Sequence, residues 1–206
     1  MDGSARWSHW HYDEQEEFAR SVRVSLLGVT PAGVASFRPD EDSLVSDWET
    51  WAATIFANTI GPSFRDAFEL GCEFRLRELA LLDVALGKEI PDLSDDLAAA
   101  SRPFIEGKEQ MKGHSDWGKY VRKIESGKAP GHLPVVFALH SVLYRLPLAS
   151  ALAAYAWFEW MRGHESIGML ALAGEPESPP QCFLTIKPHI SAIIRSDPGG
   201  TGLHSV

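Results

Sequence analysis

The 206-residue sequence predicts an all-α fold, namely a single-domain helical bundle with two central apolar helices. Apolar residues recur at the three-and-four spacing of helices through most of the chain. One short β-branched stretch, 21–34, has no second alternating segment with which to pair. Segments 133–145 and 148–162 are apolar nearly all round, which is typical of helices inside a bundle. The 45% hydrophobic content supplies one substantial core.

The first predicted helix covers about 43–58, with Asp42 or Ser43 as its N-cap. Gly61-Pro62 is predicted to break the chain there, with Pro62 placed at the start of the next helix. That second helix is predicted to run without interruption from about 63 to 86.

The third predicted helix begins at Ser94, a favourable N-cap followed by two aspartates, and continues to about 111 with a kink at Pro103. A short helix over 117–126 should end at Gly127. The two central helices follow, and a final helix capped by Ser178 should be distorted at Pro188.

These elements define a domain over 21–195, between a polar, flexible N-terminal segment 1–20 and a flexible tail 196–206. No secretory signal and no uninterrupted apolar run of about 18 residues is visible, so we expect a cytoplasmic protein. The net charge of −9 argues against nucleic acid and anionic membranes as partners. The one basic cluster, predicted to be an ordinary solvated helix face, comprises Lys119, Arg122, Lys123 and Lys128.

Motifs for common chemistry are missing from the sequence. It contains no phosphate-binding loop, no dinucleotide fingerprint and no zinc-protease pattern, so no cofactor or metal is predicted. The two cysteines, Cys72 and Cys182, are predicted to be buried core thiols. His9 and His11 lie in the acidic N-terminal segment and are predicted to be solvated.

Two histidines and one cluster of charges leave alternatives open. His132 and His140 lie eight residues apart, near one face of a helix, and form either a catalytic pair or a capping and a hydrogen-bonded core histidine. The second apolar helix ends in a charged cluster, which marks either an interface or the point at which the helix reaches solvent. The cluster consists of Glu159, Arg162, His164 and Glu165.

The order of short motifs resembles the urease accessory protein family UreF. The segment 131–138, Gly-His-Leu-Pro-Val-Val-Phe-Ala, is similar to the opening of a UreF helix. The segment 151–158, Ala-Leu-Ala-Ala-Tyr-Ala-Trp-Phe, follows as that family's Ala-x-x-Ala-Tyr helix does. Upstream, 79–86 resembles the family's Leu-Asp-x-x-Leu segment, and 102–107 resembles its Arg-x-x-x-x-Gly segment. The resemblance spans roughly 25–195.

The chain also departs from the family pattern. After Pro31-Ala-Gly33, the family's aromatic-His-Ser is replaced by Val34-Ala-Ser-Phe37. Near Gly174, three residues of the family's Arg-Leu-x-Pro-Leu-Gly-Gln segment are replaced by Met169, Leu172 and Glu175. These departures indicate either a divergent member with altered partners or a relative of the same fold with another function.

The resemblance implies a non-enzymatic chaperone for nickel insertion into urease. Such a protein forms a homodimer and assembles with a UreD/UreH-like protein, a UreG-like GTPase and apo-urease. The predicted partner-binding residues are Gly131, His132, Pro134, Trp157, Phe158, Glu159, Trp160, Arg162, His164 and Gly174. If Trp160 is an interface anchor, Trp160→Ala should weaken association and leave unfolding nearly unchanged. The alternatives are a chaperone for another metalloenzyme, and a small helical enzyme with His132, His140 and Glu159 around an internal cavity.

Overall fold

A computed structural model describes residues 36–106, 115–166 and 181–196, without the side chains of 115, 164–166 and 181. These ranges contain no β-strand, so the predicted all-α class is confirmed. Their α-helices are α1 (Leu44–Trp51), α2 (Gly61–Cys72), α3 (Leu76–Glu89), α4 (Pro91–Glu106), α5 (Ser115–Glu125), α6 (Leu133–Leu143), α7 (Leu148–Ser166) and α8 (Lys187–Arg195). A π-helix (Ala52–Ile60) joins α1 to α2, and a 3₁₀-helix (Gln181–Ile186) precedes α8.

The two apolar helices, α6 and α7, lie in the core as predicted. Nearly every residue of α6 is buried, and so is α7 from Ala151 to Trp160. Helix α2 packs along α6 in the same direction: the rings of Phe64 and Phe137 lie 6.2 Å apart, and Gly71 lies against Val142. Helices α6 and α7 are buried on all faces because other elements pack around them.

The predicted break at Gly61-Pro62 is wrong, because the chain remains helical from α1 through the π-helix into α2. Gly61 has α-helical torsion angles, and Pro62 lies in the first turn of α2. The Asn58 side-chain amide donates to the carbonyl oxygens of Ala53 and Thr54 at 2.9 and 3.0 Å. The Asn58 side chain thereby supplies donors to two carbonyl oxygens of the wider π turn. This turn precedes Pro62, which has no N–H group to donate.

The predicted single helix over 63–86 is also wrong, since it is divided into α2 and α3. The Arg75 N–H donates to the carbonyl of Leu70, and the Phe74 N–H donates to that of Gly71. This is the hydrogen-bond pattern of a Schellman C-terminus. Phe74 occupies the left-handed position, with φ 56°, where glycine is the usual residue. The sequence therefore lacked the ordinary signal for a helix end.

Later boundaries agree with the predictions in part. The predicted N-cap at Ser94 is wrong, because α4 starts at Pro91 and Ser94 lies inside its first turns. Pro103 lies within α4, and Gly127 follows α5 with φ 70°, as a helix-ending glycine should. Pro188 lies in the first turn of α8, where the 3₁₀-helix changes to an α-helix. Ser178, the predicted cap, and His9 and His11 of the N-terminal segment lie outside the described residues.

The cysteine prediction is wrong. Cys72 is exposed at the C-terminal end of α2, and Cys182 is half-buried. Both had apolar neighbours in sequence, but helix geometry turns Cys72 away from α6 while Gly71 faces it. Among the described helices, none has the length and hydropathy needed to cross a membrane.

Candidate functional site

Asp83 is a fully buried carboxylate at the point where α3, α5 and the start of α6 meet. Its Oδ2 accepts from the Tyr120 hydroxyl and from the Gly131 N–H, both at 2.7 Å. Its Oδ1 accepts from the His132 N–H at 3.0 Å and lies 2.8 Å from the His132 Nδ1. A buried carboxylate is stable in a bundle only when donors surround it in this way.

His132 links this carboxylate to α4. Because the Asp83 oxygens accept, the imidazole donates from Nδ1, and its Nε2 lies 2.8 Å from the Ser94 hydroxyl oxygen. His132 occupies the N-cap position of α6, as one of the two alternatives predicted, but its side chain does not cap the helix. We call Asp83, Ser94, Tyr120, Gly131 and His132 the Asp83 node.

Two glycines allow the residues of the Asp83 node to pack closely against one another. Gly131 has φ 77°, and a Cβ on it would lie 2.9 Å from the Ile124 side chain. A Cβ on Gly87 would lie 2.7 Å from the His132 ring and 3.0 Å from the Ser94 hydroxyl. Glycine is thus required at 131 by its backbone conformation and at 87 by close approach.

Burial affects the titration of the node. It raises the pKa of Tyr120 well above its ordinary value, and the neighbouring Asp83 carboxylate raises this pKa further. The phenol therefore remains a hydrogen-bond donor throughout the neutral range.

The order Ser94–His132–Asp83 is that of a hydrolase triad, so the surroundings decide how it is interpreted. His132 is completely buried, and the N–H groups of Gly131 and His132 both donate to Asp83 rather than to an oxyanion site. An open groove bounded by Ser36, Asp47 and Ile55 lies elsewhere and does not reach these residues. These contacts make the node a support that holds the loop before α6 against α3 and α4.

A second buried carboxylate, Glu159, joins α7 to the segment that precedes α1. Its Oε2 accepts from the N–H and the hydroxyl of Ser36, both at 2.7 Å, and from the Phe37 N–H at 3.3 Å. Its Oε1 accepts from the Tyr155 hydroxyl at 3.2 Å and lies 3.7 Å from Arg162 Nη1. We call these five residues the Glu159 node.

The predicted alternatives for Glu159 and Arg162 were an interface and a helix end at the surface. Both side chains are instead buried, so α7 does not reach solvent at this point. The guanidinium of Arg162 lies 5.5 Å from the centre of the Phe158 ring, a cation–π arrangement. Arg162 is thus part of the interior of the bundle.

Trp160 lies in an aromatic cluster. Its ring centroid is 4.9 Å from that of Trp48, 5.9 Å from that of Phe37 and 6.2 Å from that of Phe183. Trp160 is 1% exposed, and Trp157 and Phe158 are each 5% exposed. This burial predicts the opposite of the sequence-based expectation, namely that Trp160→Ala lowers the free energy of unfolding. A partner-binding role for this stretch stays a prediction and requires α7 to be uncovered.

The remaining predicted site residues are dispersed. Pro134 is buried in the first turn of α6, and His140 packs edge-on against Trp117, with ring centroids 4.2 Å apart. The His164 backbone belongs to α7, but its side chain is not described, and Gly174 lies outside the described residues. The structure brings Gly131 and His132 together, and Glu159 with Arg162, but it does not bring these pairs to one site.

An open groove of about 240 Å³ lies between the segment before α1 and the helices α1 and π. None of His132, His140 and Glu159 lines it; the lining residues are Ser36, Phe37, Arg38, Asp47, Thr50, Trp51, Thr54 and Ile55. The described part of the chain also contains no group of three or more His, Cys, Asp or Glu side chains placed to hold a metal ion.

Sequence reasoning missed Ser94 and Tyr120 as node residues and noted Asp83 only within a motif. One signal was available for Asp83, because an aspartate inside an apolar helical stripe requires several donors. The spacing of Ser94 and Tyr120 carried no such signal, since their contacts cross 38 and 37 residues.

Comparison with known families identifies the region around the Asp83 node. Residues 76–163 match UreF. The match begins with α3 and extends into α7, so it includes the whole Asp83 node and both Glu159 and Arg162. It covers less than half of the chain, and it confirms the predicted resemblance to the urease accessory protein UreF. No curated protein matches the chain, and no solved structure matches it.

Proposed function

We propose that this protein is a urease accessory protein that acts as a scaffold for nickel insertion into apo-urease. The observation that carries the proposal is the UreF match over 76–163. The partners that this function requires are a UreD/UreH-like protein, a UreG-like GTPase and the urease apoprotein, with nickel as cargo and a second copy of this chain in a homodimer.

The two nodes suit a protein that acts by binding. Each uses a buried carboxylate to connect elements that are distant in sequence: Asp83 connects three helices, and Glu159 connects α7 to Ser36. Such networks rigidify the backbone around them when every member is satisfied, as the Asp83 oxygens are. In a rigid bundle the binding surface is already ordered in the free protein, so less conformational entropy is lost on binding.

The test is a pull-down of the tagged chain from lysate of its own cells, with and without a non-hydrolysable GTP analogue. Recovery of a small GTPase together with urease subunits would support the proposal. Recovery of an unrelated metalloenzyme precursor would indicate the alternative client. A stable monomer that binds neither a UreG-like nor a UreD-like protein would exclude the urease function.

The third sequence-based hypothesis, an enzyme with His132, His140 and Glu159 around a cavity, has no geometric support among the described residues. His132 lies in the Asp83 node, His140 packs against Trp117, and Glu159 lies in the other node. Native mass spectrometry of the purified chain provides its test, because a bound small molecule would revive this hypothesis.

A further inference from the structure

Two large apolar side chains are exposed at α3: Phe74, two residues before the helix, and Leu81 on its outer face. Phe74 and Leu81 are each 58% exposed, more than any other large hydrophobic side chain in the described part of the chain. The spacing of 77, 81, 84 and 88 places Arg77, Leu81, Val84 and Lys88 on one face of the helix. We call Phe74, Arg77, Leu81, Val84 and Lys88 the α3 seam.

The opposite face of α3 already accounts for the stability of this helix. Leu79, Leu82 and Leu86 are buried there, together with Asp83 and its donors. Helix α3 therefore has a complete inward stripe, and on its solvent side it carries the exposed Leu81 and the half-buried Val84. Apolar residues on both faces are typical of a helix that packs on two sides.

Phe74 adds a second, independent observation. It adopts φ 56°, a left-handed conformation that is unfavourable for a bulky residue. Its side chain is mostly exposed, so burial within this chain offsets little of that strain. Strained backbone with an exposed aromatic side chain is more typical of binding surfaces than of residues selected for stability.

The charges of the seam define the partner. Arg75 beside it pairs with Glu73 and Glu78, at 3.1 and 3.5 Å. Arg77 and Lys88, by contrast, form no salt bridge within the described residues, although the chain as a whole carries a net charge of −9. Two exposed cations that flank Leu81 and Val84 are complementary to carboxylates that flank an apolar stripe.

We propose that the α3 seam is the docking site for an acidic amphipathic helix of a partner protein. The four-three-four spacing from Arg77 to Lys88 is that of a helix-packing seam. Arg77 and Lys88 lie about 16 Å apart along α3, so the partner helix carries Asp or Glu at about that separation, with apolar residues between them facing Leu81 and Val84. The proposal deepens the proposed function and rests on it for the partner's identity.

Nucleic acid and anionic membranes fit the seam less well. Glu78 and Glu89 lie along its other edge, and carboxylates there would repel phosphate groups. Two cations supply only a small part of the contacts that phosphate binding requires. A protein helix can place its own carboxylates beside Arg77 and Lys88 only.

The experiment replaces Leu81 with a photo-crosslinking phenylalanine analogue in the full chain inside its own cells. The matched control places the same group at Val45, an exposed apolar residue of α1. We expect a crosslink at 81 and none at 45. Mass spectrometry of the crosslinked peptide should identify an acidic amphipathic helix.

Charge reversal provides the second measurement. Arg77→Glu with Lys88→Glu should reduce crosslinking through position 81 by roughly tenfold or more, since it sets like charges against each other. The control is Arg122→Glu with Lys128→Glu, which reverses two exposed cations outside the seam and should change crosslinking less than about twofold. Circular dichroism should show the same melting temperature for both double variants, because all four residues are exposed.

Two crosslinking outcomes would contradict the proposed docking site: no crosslink at 81 above that at 45, or a crosslinked peptide without the acidic amphipathic pattern. Two outcomes with the double variants would also contradict it: equal crosslinking by both, or equal recovery of urease partners by both. The last outcome leaves the proposed function standing. A crosslink to an acidic helix of a protein unrelated to urease would support the seam and contradict the proposed function.

Discussion

Composition alone would place the end of α7 at an exposed interface and would give the outer face of α3 an ordinary polar surface. The structure shows the reverse distribution of exposed apolar side chains. Trp157–Arg162 is rich in the residues that dominate protein interfaces, yet it lies in the core. The α3 seam belongs to a region with the ordinary composition of a surface element, yet it carries the two most exposed large apolar side chains among the described residues. Residue type therefore indicates how much binding energy a side chain can supply, whereas packing decides where that energy is used.

The largest expected effect tests the core position of α7. Trp160→Ala should lower the free energy of unfolding by about 3–5 kcal/mol, because it leaves a cavity among Trp48, Phe37 and Phe183. Urea denaturation followed by circular dichroism measures the change. A loss under about 1 kcal/mol together with weakened association would restore Trp160 as an interface residue.

The Asp83 node should be the next most sensitive position. Asp83→Asn puts an amide N–H₂ group where an oxygen now accepts from buried donors, so unfolding should become easier by about 2–4 kcal/mol. The same urea titration measures it, with exposed Asp92→Asn in α4 as the control. A change equal to that of the control would show that the node is not needed for stability.

The Glu159 node should respond locally. Glu159→Gln keeps the volume of the side chain but removes an acceptor of the Ser36 and Phe37 N–H groups, for a loss of about 1–3 kcal/mol. Hydrogen exchange should accelerate more at the Ser36 and Phe37 amides than at the amides of α6. Unchanged protection at both amides would mean that Glu159 does not hold this segment.

The two buried tyrosines allow the nodes to be compared directly. Tyr120→Phe removes a 2.7 Å hydrogen bond and Tyr155→Phe a 3.2 Å one, so losses of about 1–2 and about 0.5–1 kcal/mol are expected. Equal losses, or the reverse order, would contradict this ranking.

The same tyrosines predict a pH dependence. Burial raises the pKa of Tyr120 and Tyr155 in the folded chain, so their contribution is complete below the unfolded pKa of about 10 and is lost as the pH rises above it. Denaturation at pH 8 and pH 11 should therefore show less alkaline destabilisation in each Tyr→Phe variant than in the parent chain. An unchanged slope would contradict this prediction.

The smallest effect is expected on the α3 seam. Leu81→Ala should change the free energy of unfolding by less than about 0.5 kcal/mol, because the side chain is mostly exposed. Urea denaturation beside Trp160→Ala measures the contrast. A loss of several kcal/mol would show that Leu81 is covered within this protein and would remove the seam as a free surface.

Sequence alone determined the helical class, the central position of α6 and α7 and the resemblance to UreF. These features depend on local periodicity and on motifs that each lie within one element, and neighbouring residues decide both. Gly127 was predicted as a helix end for the same reason, because its left-handed conformation is a local preference.

Tertiary structure decided the helix ends and the surfaces. Phe74 ends a helix in a conformation that its own preference disfavours, and Ser94 forms a hydrogen bond across 38 residues rather than capping α4. Whether Trp160 or Leu81 faces solvent likewise depends on which elements pack against α7 and α3. Contacts between distant residues leave no periodic trace in the sequence, so only the packed chain reveals them.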